Sequence, residues 1–311
     1  MSWILPRARV RAPLTGAVVT AAALLAIVSQ SSAADQKTIA IIVPSLKIAV
    51  LQIESKAAVD MAEKLGYKAI LLTHEFNTAN ELKDADQIIT EKVAGAVWNV
   101  ADPDASAVSV KKVRDAGIPV INIDRVLTKA TIADSGLQSD NFQCGALAAQ
   151  AFVDLVGTKG TYAEISGPSA DAMSRTRSAG YHSVLDKSGL TMAAQVGGAW
   201  DQTKGFQTAG SILQAHPDIL GFVTGNDSIG LGAAAAVKAQ GKKNLVVVGI
   251  DGGADAAQAI QSKTSAFKAT AAQPVIAQGE QGVIAMDKIL KGDKDAVTDG
   301  KVQLIPCTLM K

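Results

Sequence analysis

The sequence has few of the residues that carry most catalytic and metal chemistry. Among 311 residues there are only three histidines and two cysteines. No histidine lies at ligand spacing from a cysteine, so we expect no metal site. No histidine is placed to activate a serine, and no paired general acid and base is evident, so we expect no enzyme. A P-loop of the Gly-Lys-Ser/Thr type is absent, which excludes the ATP-driven subunit of a pump.

An excess of charge of either sign is also missing. Thirty lysines and arginines stand against 29 aspartates and glutamates, so the chain offers no basic surface for nucleic acid. The GLGAAA segment at 230–235 imitates a dinucleotide-binding fingerprint. It follows a strand end and an Asn-Asp pair, so we predict that its glycines lie inside a helix, and we expect no cofactor.

The N-terminal 34 residues have the pattern of a secretory signal. Arginines at 7, 9 and 11 precede an uncharged apolar run at 16–28, and small residues follow at 31, 33 and 34. The run is shorter than the roughly 20 residues of a membrane-spanning helix. No cysteine follows it to carry a lipid. We expect a signal peptide at 1–34 that is cleaved on export, leaving the protein free in the periplasm.

The remaining length predicts two domains, because a single core rarely grows to this size. Cys144 and Cys307 would lie in a compartment where a disulfide survives. Their separation in sequence leaves a disulfide and two buried thiols equally open.

Short β-branched apolar runs alternate with segments of helical period, which predicts an α/β fold with parallel sheets. In the first helix, Ile53, Ala57, Met61 and Leu65 form one apolar stripe. The predicted strands are 38–43, 68–73, 95–100, 119–124, 160–166, 191–196, 219–224 and 245–251.

Polar residues stand at or just beyond the ends of these strands, where the ligands of open α/β sheets bind. Such groups can hydrogen-bond neighbouring hydroxyls and therefore suit a sugar. Taken singly, each could instead cap a helix or shape a turn. The residues at these ends are Asn99, Asp124, Arg125, Asn226 and Asp251, and Gln273 is a further group of the same chemical type.

Two tryptophans are candidates for covering the apolar face of a sugar. Trp200 lies in a loop and Trp98 ends a strand. Each could instead fill the core between sheet and helix, an alternative that is stronger for Trp98 than for Trp200.

Taken in order, several motifs resemble the ribose/galactose-type periplasmic sugar-binding proteins over nearly the whole chain after residue 35. The motifs are AEKLGY (62–67), GIPVINIDR (117–125), SDN (139–141), AHPD (215–218), GND (225–227), VGIDG (248–252) and ATAAQ (269–273).

The resemblance implies a periplasmic binding protein of type I, with two doubly wound parallel-sheet lobes joined by a three-segment hinge that closes on ligand. Residues 37–138 and 274–299 would form the first lobe, and 139–273 with 300–311 the second, which would also hold both cysteines. The ligand contacts of the family fall here on Asn99, Asp124, Arg125, Ser139, Arg177, Trp200, Asn226, Asp251 and Gln273.

One segment departs from the family pattern. Sugar-binding relatives carry an asparagine and paired aromatics after the first strand, whereas this chain reads SLKIAVL at 45–51. We therefore expect Lys47 and Ile48 to tune which ligand fits, and Trp98 is a further candidate for this role. The loss of a stacking face here favours a furanose or an acyclic polyol over a pyranose held between two rings.

The resemblance further implies that a monomeric protein captures a small sugar or sugar alcohol and delivers it to the permease of an ABC transporter. A receptor that feeds a chemoreceptor or a sensor kinase is the alternative. Repressors share the fold, but they carry a DNA-binding segment where this chain has its signal, so we expect no nucleic acid partner.

Overall fold

The computed structural model describes Met1, residues 36–298 and residues 300–311. The expected signal peptide at 1–34 lies outside the described residues, apart from Met1. Residues Gln36–Lys311 form one compact unit. Across the described part of the chain, no helix is both long enough and apolar enough to cross a membrane.

Twelve strands of this unit form two six-stranded sheets. The first has the order β11-β5-β4-β3-β1-β2 and the second β12-β10-β9-β8-β6-β7. All pairs are parallel except β10 with β12. The strands are β1 Thr38–Val43, β2 Lys68–Thr73, β3 Gly95–Trp98, β4 Val120–Ile123, β5 Ser135–Ser139, β6 Gly160–Ser166, β7 Leu190–Gly197, β8 Gly221–Thr224, β9 Val246–Asp251, β10 Phe267–Ala272, β11 Val302–Ile305 and β12 Thr308–Met310.

Helices cover both faces of each sheet, which explains why the central strands read as continuous apolar runs rather than alternating ones. In the first sheet α1 and α9 cover one face and α2 and α3 the other. In the second, α4 and α5 lie opposite α6, α7 and α8. The helices are α1 Ala49–Lys64, α2 Thr78–Thr90, α3 Ala107–Asp115, α4 Asn141–Val156, α5 Ala172–Leu185, α6 Gln202–Ala215, α7 Asp227–Ala239, α8 Ala254–Gln261 and α9 Val275–Leu290.

This architecture confirms the predicted fold of two doubly wound sheets. The prediction that the glycines of the GLGAAA segment lie inside a helix is also confirmed, because Gly230 and Gly232 belong to α7. A Cβ atom on Gly232 would clash with the carbonyl oxygen of Gln202. This glycine therefore allows α6 and α7 to pack closely.

The chain passes between the two sheets three times: after β5, after β10, and between β11 and β12. The C-terminal tail departs from the expectation that 300–311 would go with the second lobe. Val302–Ile305 pairs with β5 at the edge of the first sheet, and only Thr308–Met310 joins the second sheet. The reason is that β5 has a free edge whose backbone groups β11 satisfies.

A disulfide joins Cys144 of α4 to Cys307, with Cα atoms 5.3 Å apart. Both residues belong to the core cluster on the α4 side of the second sheet. Of the two alternatives that the sequence left open, the structure therefore has the bonded form. The Gln143 side chain also accepts a hydrogen bond from the Cys307 amide at 2.9 Å. The last crossover is thus held to the start of α4.

Candidate functional site

The carboxyl ends of the central strands of both sheets face one cleft. A cavity of about 60 Å³ lies there, and it is bounded by polar and aromatic side chains from both sheets. Eight of the nine predicted ligand residues meet at it, together with one predicted tuning residue, Ile48. The eight are Asn99, Asp124, Arg125, Arg177, Trp200, Asn226, Asp251 and Gln273.

On the side of the first sheet, one amide links two carboxyl groups. Asn99 follows β3, and its Nδ2 donates to Asp124 Oδ2 and to Glu54 Oε2, each at 2.9 Å. Asp124 follows β4 and has a φ of 54°, a conformation that aspartate tolerates better than most residues. Glu54, on α1, is fully buried. Burial and the adjacent Asp124 carboxylate raise the pKa of Glu54 well above its ordinary value.

On the side of the second sheet, Asp251 at the end of β9 accepts two hydrogen bonds on Oδ1. Gln273 Nε2 donates at 2.7 Å, and Arg177 Nη1 lies at 3.4 Å. Burial raises the pKa of Asp251 to about 7, and the Asp227 carboxylate acts in the same direction, although Arg177 opposes it. This carboxyl group therefore titrates near neutral pH.

Arg177 itself is fixed in the interior by further contacts. Its Nε donates to Asn141 Oδ1 at 2.8 Å and its Nη1 to the carbonyl of Gly225 at 2.9 Å. The guanidinium carbon lies 5.5 Å from the centre of the Trp200 ring. The cation–π contact orients the indole at the cavity wall.

A polar bridge crosses the cleft. Arg125, from the loop after β4, donates from Nη2 to Asp171 Oδ2 at 3.1 Å, and both side chains are largely buried. Trp200 Nε1 donates to the same oxygen at 3.2 Å. On its other side the Arg125 guanidinium lies over Phe76, 5.5 Å from the ring centre. A single carboxylate thus ties together residues from both sheets.

Asn226 has two roles, because it also caps α7. Its Oδ1 accepts from the Ile229 amide at 2.9 Å. The capping alternative raised from the sequence is therefore true of this residue, yet the residue also lines the cavity.

Three predicted residues are not among those that line the cavity. Ser139 lies at the first crossover, donates to Gln273 Oε1 at 2.8 Å and accepts from Gln278 Nε2 at 2.6 Å. Lys47 is exposed and forms an ion pair with Glu75 at 2.8 Å. Trp98 is fully buried in the core and donates to Glu81 at 3.0 Å, so the core-filling alternative describes it.

The sequence interpretation overlooked several residues of the site. The aliphatic side chains of Val50 and Leu51 line the cavity where the family pattern has its aromatic pair. Phe76, after β2, supplies an aromatic ring from a different loop of the first sheet. The sequence held one signal that could have identified Phe76, which is that an aromatic residue stands just beyond a strand end in a chain with few aromatics. Glu54 and Asp171 carried no comparable signal.

Comparisons with known proteins identify the family of this chain. The pattern of the periplasmic binding protein domain matches residues 39–294. The D-apiose import binding protein of Actinobacillus succinogenes is 34% identical over 278 residues, covering 89% of each chain. The ribose import binding protein of Escherichia coli is 32% identical over 277 residues, which cover 89% of this chain and 92% of that protein.

A solved structure shares the fold. A solute-binding protein of an ABC transporter from Actinobacillus succinogenes, with bound D-allose, has a TM-score of 0.82 at 21% identity, covering 89% of this chain and 98% of that one. The curated relatives are import binding proteins rather than enzymes, which confirms the expectation of a binding protein. The chain therefore belongs to the ribose/galactose-type group of the periplasmic binding protein family.

Proposed function

We propose that this protein captures a small sugar in the cleft and delivers it to the permease of an ABC transporter. The observation that carries the proposal is the convergence of carboxylate, amide and guanidinium groups from two sheets on one small cavity. Hydroxyl groups both donate and accept, so such a mixed set suits a polyhydroxylated molecule. The D-apiose and ribose import binding proteins that are 34% and 32% identical to this chain support the proposal.

The hydrogen-bonding capacity left at the site supports this proposal. Asp251 Oδ1 accepts from Gln273 and Arg177, so Oδ2 can accept from a ligand hydroxyl. Asn226 uses its Oδ1 for the helix cap, so its NH₂ group can donate to a ligand oxygen. We infer that the second lobe contributes both a donor and an acceptor, and that Trp200 covers an apolar face of the ring.

The lining of the cavity favours a small sugar or polyol, because polar side chains from both sheets face one small space. The wall formed by Ile48, Val50 and Leu51 cannot stack on a pyranose as an aromatic pair would. We propose a pentose, with D-apiose as the first candidate because of the 34% identical relative, or a polyol of similar size.

Delivery requires that the lobes move about the three crossovers, as hinge closure describes. We propose a first lobe of 37–138 with 274–305 and a second lobe of 139–273 with 306–311, revised from the sequence expectation because β11 pairs with β5. We also propose that the segment 1–34 is a signal peptide, cleaved at about residue 34 on export to the periplasm.

The test is a thermal-shift screen of the mature protein against pentoses, hexoses and polyols, since a ligand that binds only the folded state raises the melting temperature. Deletion of the gene should then abolish growth on, and uptake of, the sugar that gives the shift. Binding without any uptake defect would instead favour a sensory role.

A further inference from the structure

Two buried atoms next to the cleft lack hydrogen-bond partners among the described residues. They are Glu54 Oε1 and Asn99 Oδ1. They belong to the two residues already joined through Asn99 Nδ2 and Glu54 Oε2 at 2.9 Å. A buried polar atom without a hydrogen-bond partner lowers the stability of the fold. Two such atoms on residues that contact each other indicate a common cause.

Among the described residues, Glu54 forms no ion pair that would stabilise its ionised form. The Asp124 carboxylate shares the same amide with it. His74 contacts the Asn99 backbone carbonyl at 3.0 Å, and burial lowers the pKa of this histidine, which disfavours its charged form. The helix packed on α1 at this point, α9, presents Gly279, which has no side chain. Arg125 is directed to Asp171 and the Ala101 carbonyl instead.

We propose that Glu54 is a protonated positioning residue that holds Asn99 by two hydrogen bonds. Asn99 Nδ2 donates to Glu54 Oε2, and the proton on Glu54 Oε1 is donated to Asn99 Oδ1. A neutral carboxylic acid has both a donor and an acceptor, so it matches a primary amide in a closed pair. A single proton on Glu54 Oε1 therefore gives both of the unpaired atoms a hydrogen-bond partner.

This pair fixes which way the Asn99 amide faces. With its oxygen held by Glu54, the second amide hydrogen is directed to Asp124 Oδ2, as observed at 2.9 Å. Asp124 Oδ1 is then left to accept a hydroxyl from the ligand. Glu54 does not line the cavity, so it acts on binding through Asn99 and Asp124. This last step rests on the proposed sugar-binding function, whereas the protonation of Glu54 does not.

The matched variants are Glu54→Gln, which keeps a donor and an acceptor, and Glu54→Met, which keeps neither. Asp218→Asn, at an exposed aspartate outside the cleft, is the control. Infrared spectra at pH 6 should show the carbonyl band of protonated carboxylic acids with equal intensity in the wild type and in Asp218→Asn. In Glu54→Gln the intensity of this band should fall by the contribution of one carboxylic acid. Loss of only carboxylate bands in Glu54→Gln would show that Glu54 is ionised and would overturn the proposal.

The orientation of Asn99 is tested by the exchange of its side-chain NH₂ protons in nitrogen-15 spectra. We expect slow exchange in the wild type and Glu54→Gln and at least tenfold faster exchange in Glu54→Met. Equal rates in Glu54→Gln and Glu54→Met would contradict the pairing. Both measurements are made without sugar, so their outcome is independent of the proposed function.

The effect on binding is measured by calorimetry with D-apiose. We expect affinity within twofold of the wild type for Glu54→Gln and about tenfold weaker for Glu54→Met, the effect of roughly one strong hydrogen bond. Equal affinities in both variants would contradict the positioning role. A wild type that does not bind D-apiose would count against the proposed ligand and leave the infrared and exchange results to decide the protonation.

Discussion

Arg125 and Asp171 form an ion pair of 3.1 Å that joins the two sides of the cleft. Arg125 follows a strand of the first sheet, and Asp171 caps α5 beside the second. Their side chains are 11% and 10% exposed, so water screens the contact little. We expect this pair to favour the closed form of the cleft. Asp171 Oδ2 also accepts a hydrogen bond from the Trp200 indole N–H.

Replacing Asp171 by asparagine should weaken its contact with Arg125. A buried charge that loses its partner costs about 2–5 kcal/mol, so we expect the ligand-free protein to open and the affinity for sugar to fall at least tenfold. Small-angle scattering should give a larger radius of gyration than for the wild type or for Asp218→Asn. An unchanged radius together with unchanged affinity would show that the ion pair has no part in closure.

The pH dependence of stability should reflect Asp251. Burial raises the pKa of Asp251 to about 7, above the ordinary value of about 3.9 in an unfolded chain. The folded state therefore binds the proton more tightly, and this stabilisation is complete below about pH 4 and is lost as the pH rises through about 7.

The variant Asp251→Asn should lack this loss of stability at rising pH. In urea unfolding between pH 5 and pH 8.5, the unfolding free energy of Asp251→Asn should decline less steeply with pH than that of the wild type. The two slopes should differ by at most about 1.4 kcal/mol per pH unit. Asp218→Asn should keep the wild-type slope. A slope that Asp251→Asn leaves intact would assign the titration to another carboxyl group, such as Asp227.

Trp200 should account for most of the fluorescence response to sugar. It lines the cavity, whereas Trp98 is fully buried away from it. Trp200→Ala should weaken binding about twofold to tenfold, the usual range for an aromatic contact of about 0.5–1.5 kcal/mol. The sugar-induced change in emission should disappear in Trp200→Phe. A response that survives in this variant would place the ligand elsewhere.

Removing the disulfide should destabilise the fold. The bond between Cys144 and Cys307 spans 163 residues of sequence, and cross-links of this kind contribute about 2–4 kcal/mol. The double variant Cys144→Ala with Cys307→Ala should lose about this amount in urea unfolding. A wild type treated with reductant should behave like the variant, and a difference of less than about 0.5 kcal/mol would show that the cross-link matters little.

Much of the fold could be predicted from the sequence because the central strands are buried on both faces. The predicted strand 38–43 coincides with Thr38–Val43. The four strands that were missed lack this signal. Phe267–Ala272 contains lysine and three alanines, Ser135–Ser139 contains serine and glycine, and Val302–Ile305 and Thr308–Met310 are short edge strands.

The location of the site could be predicted from the sequence, but the contacts within it could not. Parallel strands bring their carboxyl ends to one edge, so Asn99, Asp124 and Asp251 meet as their positions in sequence indicate. In the first helix, however, the predicted stripe through Ile53 is only partly buried, and the fully buried positions include Glu54. Hydrophobic periodicity cannot identify a buried acid, because its burial depends on Asn99, which is 45 residues away.

The central claim is that carboxylates from both sheets hold a sugar in this cleft, and calorimetry tests it most directly. Protein freed of any co-purified ligand by unfolding and refolding is titrated with D-apiose, D-ribose, D-allose and myo-inositol. We predict saturable one-to-one binding of at least one of them, weakened at least tenfold by Asp124→Ala and by Asp251→Ala with unchanged far-ultraviolet circular dichroism. No binding across the panel, or wild-type affinity in both variants, would contradict it.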